Sequence, residues 1–133
     1  MEKGILKLFA PIEYWRLRKE DPETLSMLVG GCGPGGFGDH IVPDTLWGMS
    51  VTHACAIHDF YYSEMMPGTN ECKDEADRVF LNNMLRIVDA RTKNRLLKRL
   101  RRRRAKTYYY FVKWWGGPAF WEHKNTAGEY QEV

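Results

Sequence analysis

Apolar residues recur at helical spacing in three stretches of this chain, and glycine or proline clusters separate them. Ala76, Asp77, Phe80, Leu81, Met84 and Leu85 fall on one side of a helix predicted to start near Asp74. The stretch "THACAIHDFYY" (52–62) predicts a second helix, capped by Ser50 or Thr52 and running to about Met66, where the "PGTN" turn stops it. A third apolar stripe, Leu97, Leu100, Tyr108, Phe111 and Trp115, predicts a helix ending at Gly116, with a loose polar tail beyond Trp121. Upstream, Asp21, Pro22 and Glu23 have the order of an N-cap, a first helical residue and a first-turn acid, so a short helix follows them. Residues 1–20 show no clean period and are expected to form a short helix or an irregular arm. Six glycines and a proline within "GGCGPGGFG" (30–38) exclude regular structure there. Residues 37–49, with Pro43 and Gly48, read as a connecting loop, and no strand pair is evident. The expected fold is mainly α.

With 133 residues, 44% of them hydrophobic, the chain suits one domain (1–133) with a modest core. Charge divides it in two: residues 1–90 carry 8 Lys and Arg against 14 Asp and Glu, a balance of −6, and residues 91–133 carry 12 against 3, a balance of +9. Ten of the sixteen residues from Arg91 to Lys106 are basic, which suits either a solvated helix face or a contact with nucleic acid or anionic lipid. No apolar run approaches the roughly 20 residues of a membrane span. The N-terminus does not read as a signal peptide. Three cysteines do not make a disulfide-dense scaffold, and Cys72 has no evident partner and reads as a free thiol.

The candidate chemistry lies on the helix 52–62, where Cys55, His58, Asp59 and Tyr62 occupy positions i, i+3, i+4 and i+7 and share one face. An isolated His-Asp pair is an ordinary occurrence, but three features surround this one. The glycine loop can turn its carbonyls toward a hard cation such as Ca²⁺, with Asp59 as the carboxylate ligand. Cys32 in that loop and Cys55 on the helix could bond, closing a loop of about 23 residues, a constraint worth roughly 3 kcal/mol. Asp77, on the apolar side of the next helix, needs a partner if buried, and antiparallel packing brings His58 within reach.

In order, "CGPGG", "ACAIHDFYY" and "DEADRVFLNN" resemble the calcium loop, catalytic helix and second active-site helix of the phospholipase A2 family, over roughly residues 30–85. The resemblance implies two long antiparallel helices bearing the site, a glycine-rich calcium loop before them and a basic C-terminal segment (91–121) after them. It implies His58 as general base toward water, Asp77 fixing its tautomer, Tyr62 holding Asp77, and Ca²⁺ bound by Asp59 and the carbonyls of Gly31, Gly33 and Gly35. The Gly33 N–H would help stabilise the oxyanion, and Cys32 and Cys55 fall where the family has a disulfide. The implied reaction is Ca²⁺-dependent hydrolysis of the sn-2 ester of a phospholipid at a membrane surface, giving a fatty acid and a lysophospholipid. Arg101, Arg102, Arg103 and Arg104 would then meet anionic headgroups and Trp114 or Trp115 the headgroup region. Absence of a visible leader suits a cytoplasmic or phage-associated enzyme, with export by another route open.

Departures from the family pattern are Ala54 and Tyr61 in place of cysteines, Gly31 in place of a tyrosine, and a longer stretch from Gly36 to His58. Two rivals stand beside this reading. A zinc site from His40, His53, Cys55 and His58 is disfavoured because positions 53, 55 and 58 spread around a helix. A catalytically inactive module binding nucleic acid or an anionic membrane through 91–115 accounts for the basic and aromatic half but leaves His58, Asp59 and Asp77 without a role.

Overall fold

The structure, a computed structural model, describes residues 6–29 and 42–125. The glycine loop, and with it Gly31, Cys32, Gly33, Gly35 and His40, lies outside the described residues. Within them the protein is mainly α: helices α1 (Ile12–Glu20), α2 (Pro22–Val29), α3 (Thr52–Tyr62), α4 (Asn70–Arg91), α5 (Arg95–Trp115) and α6 (Gly117–Asn125), with strands β1 (Thr45–Leu46) and β2 (Met49–Ser50) before α3.

Local chemistry sets most of these boundaries. At α2, Asp21 accepts hydrogen bonds from the Thr24 N–H and hydroxyl, so the cap falls where the Asp-Pro-Glu order places it. Helix α4 begins at Asn70, four residues before the expected start, because the Thr69 hydroxyl accepts from the Cys72 N–H and begins the helix at once after the turn. Helix α3 ends at Tyr62 and not at Met66: Ser63 is extended, its hydroxyl bonds the Phe60 carbonyl, and the Lys124 ammonium of α6 bonds the carbonyls of Tyr61, Ser63 and Met66. A cation at the negative end of a helix closes it there. With 11 residues against 22, α3 is half as long as α4, so only one of the two site helices is long. Beyond Trp121 the chain continues as α6 to Asn125 where a loose tail was expected.

The segment read as a loop contains a small antiparallel hairpin, pairing Thr45 with Ser50 and Leu46 with Met49. Its two turn residues, Trp47 (φ 48°) and Gly48 (φ 79°), both take the positive φ that a tight two-residue hairpin demands. Tryptophan rarely adopts this conformation, which hid the turn. The hairpin is fastened to α5 by the Tyr108 hydroxyl on the Thr45 carbonyl at 2.7 Å and by the Arg101 guanidinium on the carbonyls of Leu46 and Trp47 and the Thr92 hydroxyl.

Two apolar clusters make the core. One joins the hairpin, α3, the second half of α4 and α5 through Leu46, Val51, Phe80, Met84, Val88, Ala105, Tyr108 and Val112. The other joins α1, α2, α3, the first half of α4 and α6 through Tyr14, Leu25, Ile57, Phe60, Tyr61, Val79 and Phe120. The buried face of α5 is therefore Ala105, Tyr108 and Val112, while Phe111 and Trp115, expected on that stripe, are 43% and 66% exposed. Along α4 the chain arm 6–10 is held by the buried Asn83 amide, which accepts from the Phe9 N–H and donates to the Phe9 carbonyl, both at 2.8 Å.

Arg101→Met keeps the apolar stem of the side chain and removes its hydrogen bonds to the hairpin. The expected loss is about 1.5–3 kcal/mol, seen as a fall in Tm of roughly 5–10 °C; an unchanged Tm would show that the hairpin does not depend on this side chain.

Candidate functional site

Helix α3 runs through the middle of the molecule, with Ala54, Cys55 and every residue from Ile57 to Tyr62 buried. A helix enclosed on all sides must satisfy each polar side chain internally, and His58 (1% exposed) and Asp77 (2% exposed) do so on one another. The His58 Nε2 lies 2.8 Å from Asp77 Oδ1, and the Tyr62 hydroxyl donates to the same oxygen at 2.7 Å. His58, Tyr62 and Asp77 are thus brought together with the contacts anticipated for them. The residues 58 and 61 of α3 meet 77 and 75 of α4, the Tyr61 hydroxyl donating to Glu75, so the two helices run antiparallel.

A fourth member of the group was not anticipated. The Lys73 ammonium, one turn before Asp77, donates to Asp77 Oδ2 at 2.7 Å and to the carbonyls of Val112 and Lys113 at 3.1 and 3.3 Å. Its i,i+4 spacing from Asp77 was the available signal; the contact with the last carbonyls of α5 was not, because it depends on where α5 ends. Phe80, one turn after Asp77, stacks on the imidazole with centroids 4.5 Å apart and rings 26° apart, and Tyr62 covers it from another side at 4.3 Å. The imidazole therefore sits at the seam between the two apolar clusters, held by one ring from each.

These contacts fix protonation. Burial pushes the His58 imidazole below its ordinary value more strongly than Asp77 draws it up, so the ring is neutral at neutral pH. Burial alone would raise Asp77, yet the hydrogen bonds from His58, Lys73 and Tyr62 outweigh it and hold the carboxyl below its ordinary value. An ionised carboxylate only accepts, so the neutral imidazole carries its proton on Nε2 and has its basic lone pair on Nδ1. Burial first, and then the charge and hydrogen bond of Asp77, raise the Tyr62 hydroxyl, which stays protonated as a donor.

Asp59, the next residue on α3, is 8% exposed and close enough to Tyr62 for its charge to raise that hydroxyl further. Its carboxylate is a hard oxygen donor of the kind a divalent cation takes, and among the described residues no group of three or more His, Cys, Asp or Glu gathers to hold one. The remaining ligands expected, the carbonyls of Gly31, Gly33 and Gly35, fall outside the described residues, as do the Gly33 N–H and the Cys32 end of the expected bridge to the buried Cys55. Cys72 is buried and carries a free thiol. His53 faces away from His58 into a separate group with Tyr14 and Arg18.

The basic helix is less uniform than its sequence. Arg101 is spent on the hairpin and Arg102 pairs with Asp89 at 2.7 Å, whereas Arg103 and Arg104 are exposed, Arg104 lying over the Trp47 ring at 5.1 Å. Trp114 and Trp115 are 67% and 66% exposed and, with Tyr110 and Phe111, form an aromatic ridge at the end of α5. Among the described residues no helix is long and apolar enough to cross a membrane.

Compared with known proteins, the chain matches no family model, no curated protein and no solved structure.

Gly116 is packed so tightly that a Cβ there would meet the Val112 carbonyl oxygen at 2.5 Å and the Tyr62 hydroxyl at 2.7 Å. Gly116→Ala is expected to destabilise the protein by about 1–3 kcal/mol, and part of that cost should vanish in a Tyr62→Phe background; strictly additive effects in a denaturation cycle would place the hydroxyl elsewhere. Because Asp77 is held below its ordinary value, its contribution to stability is complete above pH 3.8 and is lost as pH falls through its folded value. The acid limb of a stability–pH curve should therefore flatten in Asp77→Asn.

Proposed function

We propose that this protein is a Ca²⁺-dependent phospholipase A2-type hydrolase, releasing a fatty acid from the sn-2 ester of a glycerophospholipid. The observation that carries this reading is the buried imidazole of His58 hydrogen-bonded through Nε2 to an Asp77 carboxylate that Tyr62 also holds. A neutral imidazole in that tautomer is a general base with its lone pair on Nδ1, and Asp77 stabilises the imidazolium that forms when the ring takes a proton from water. Lys73 and Tyr62 keep Asp77 ionised and oriented, so the ring cannot rotate away from its productive direction. Phe80 stacks on the ring and Tyr62 packs against it at a tilt, which limits its contact with bulk water. Bound by Asp59 with the carbonyls of Gly31, Gly33 and Gly35, Ca²⁺ would polarise the ester carbonyl and offset the charge of the oxyanion.

The outer surface of α5 supports an interfacial role. Exposed Arg103, Arg104 and Lys106 lead to the exposed Trp114 and Trp115, an order suited to anionic headgroups and the interfacial layer. The same surface favours a second reading, an inactive module that binds nucleic acid by phosphate contacts and base stacking.

One comparison separates the two. Hydrolysis of a fluorescent phospholipid in anionic vesicles should be abolished by chelator and by Asp59→Asn, and should fall at least a hundredfold in His58→Gln. Lipid inertness of the wild-type chain with Ca²⁺ present, together with RNA or DNA affinity that falls steeply with salt, would replace the hydrolase with the binding module.

A further inference from the structure

On the far side of α3 from His58, a cleft of about 870 Å³ opens between the arm 6–8, α1, the start of α3 and the last turns of α4. Its α4 residues, Ile87 and Arg91, are ten or more positions beyond Asp77, about 15 Å along the helix axis, so it is a separate cavity. The lining is mixed, and its apolar part is Leu6, Leu8, Trp15, Ala56 and Ile87. All three formally charged residues of its lining are cations, Lys7, Arg18 and Arg91. Asp44 accepts a hydrogen bond from the hydroxyl of Thr52, one of the lining residues, at 2.8 Å.

A small polar group lies among these cations. The His53 Nε2 is 3.0 Å from the Tyr14 hydroxyl and 3.3 Å from Arg18 Nη1. Guanidinium only donates, so Nε2 accepts and the ring is neutral with its proton on Nδ1. Burial, then the charges of Arg18 and Arg91, hold this imidazole below its ordinary value, which places both guanidinium groups close enough to act on it. Arg18 also lies over the Trp15 ring at 5.7 Å, so its guanidinium borders the apolar wall and the polar group together. Concentrated positive charge next to an apolar wall, in a cleft of small-molecule size, is complementary to one kind of ligand.

We propose that this cleft binds an amphiphilic anion, a single carboxylate or phosphate borne on an apolar chain, with the head between Arg18, Arg91 and Lys7 and the chain against Leu6, Leu8, Trp15 and Ile87. The site does not depend on hydrolysis at His58, and either assignment stands without the other.

The test is titration of the full chain with decanoate, with inorganic phosphate as the anion without a chain and decyltrimethylammonium as the chain with opposite charge. Calorimetry supplies the affinity, and the His53 imidazole resonances, assigned with His53→Gln, report the site. Decanoate should bind and move the His53 signals, while each control binds at least tenfold more weakly. The double variant Arg18→Gln, Arg91→Gln, checked for an unchanged circular dichroism spectrum, should weaken decanoate at least tenfold, about the loss of one charge-assisted contact, and His58→Gln should leave it unchanged. If the double variant misfolds, Lys7→Gln, on the exposed arm, should still weaken decanoate severalfold. Absence of decanoate binding, equal binding of decyltrimethylammonium, or decanoate affinity indifferent to these charges would overturn the proposal.

Discussion

One carboxylate holds this structure together where it matters. Asp77, almost wholly buried, receives hydrogen bonds from an imidazole, a phenol and an ammonium, and those three donors bring with them α3, α4 and, through the carbonyls that Lys73 also holds, the end of α5. A buried charge is tolerable only with such complete pairing, and removing one partner leaves a deficit of about 3–5 kcal/mol. The group that orients His58 is thus also the group that fixes the relative positions of three helices. Chemistry and architecture here cannot be altered independently.

Part of this was legible in the sequence because it rests on local spacing. His58, Asp59 and Tyr62 share a helix, Asp77 stands out among apolar residues at the next helical stripe, and Asp21, Pro22 and Gly116 mark boundaries with residues whose backbone chemistry leaves few choices. What escaped depends on residues distant in sequence. The end of α3 is set by Lys124, the partner of Lys73 by the end of α5, and the exposure of Phe111 and Trp115 by which face of α5 finds α4. The hairpin escaped for a different reason: a tryptophan takes a positive φ because its neighbours are pinned by Arg101 and Tyr108. The early start of α4 does rest on a local signal, since Thr69 is an ordinary N-cap.

The basic run illustrates how sequence charge overstates surface charge. Within four consecutive arginines, the first is built into the hairpin contact and the second into an ion pair, leaving the third and fourth toward solvent. The acid-rich first ninety residues show the converse, since two of their eight cations, Lys7 and Arg18, meet Arg91 in the lining of one cleft. Net charge along a segment says little about which sign a partner meets; the helical period and the packing direction decide that.

Lys124 has a consequence for the order in which the molecule is made. Its ammonium, held near pH 8 by burial, closes the end of α3 across 58 to 63 residues of intervening chain. During synthesis α3 therefore has its final turn unclosed until α6 emerges. The closing of that helix waits until nearly every residue described here has been added, a delay written into the topology.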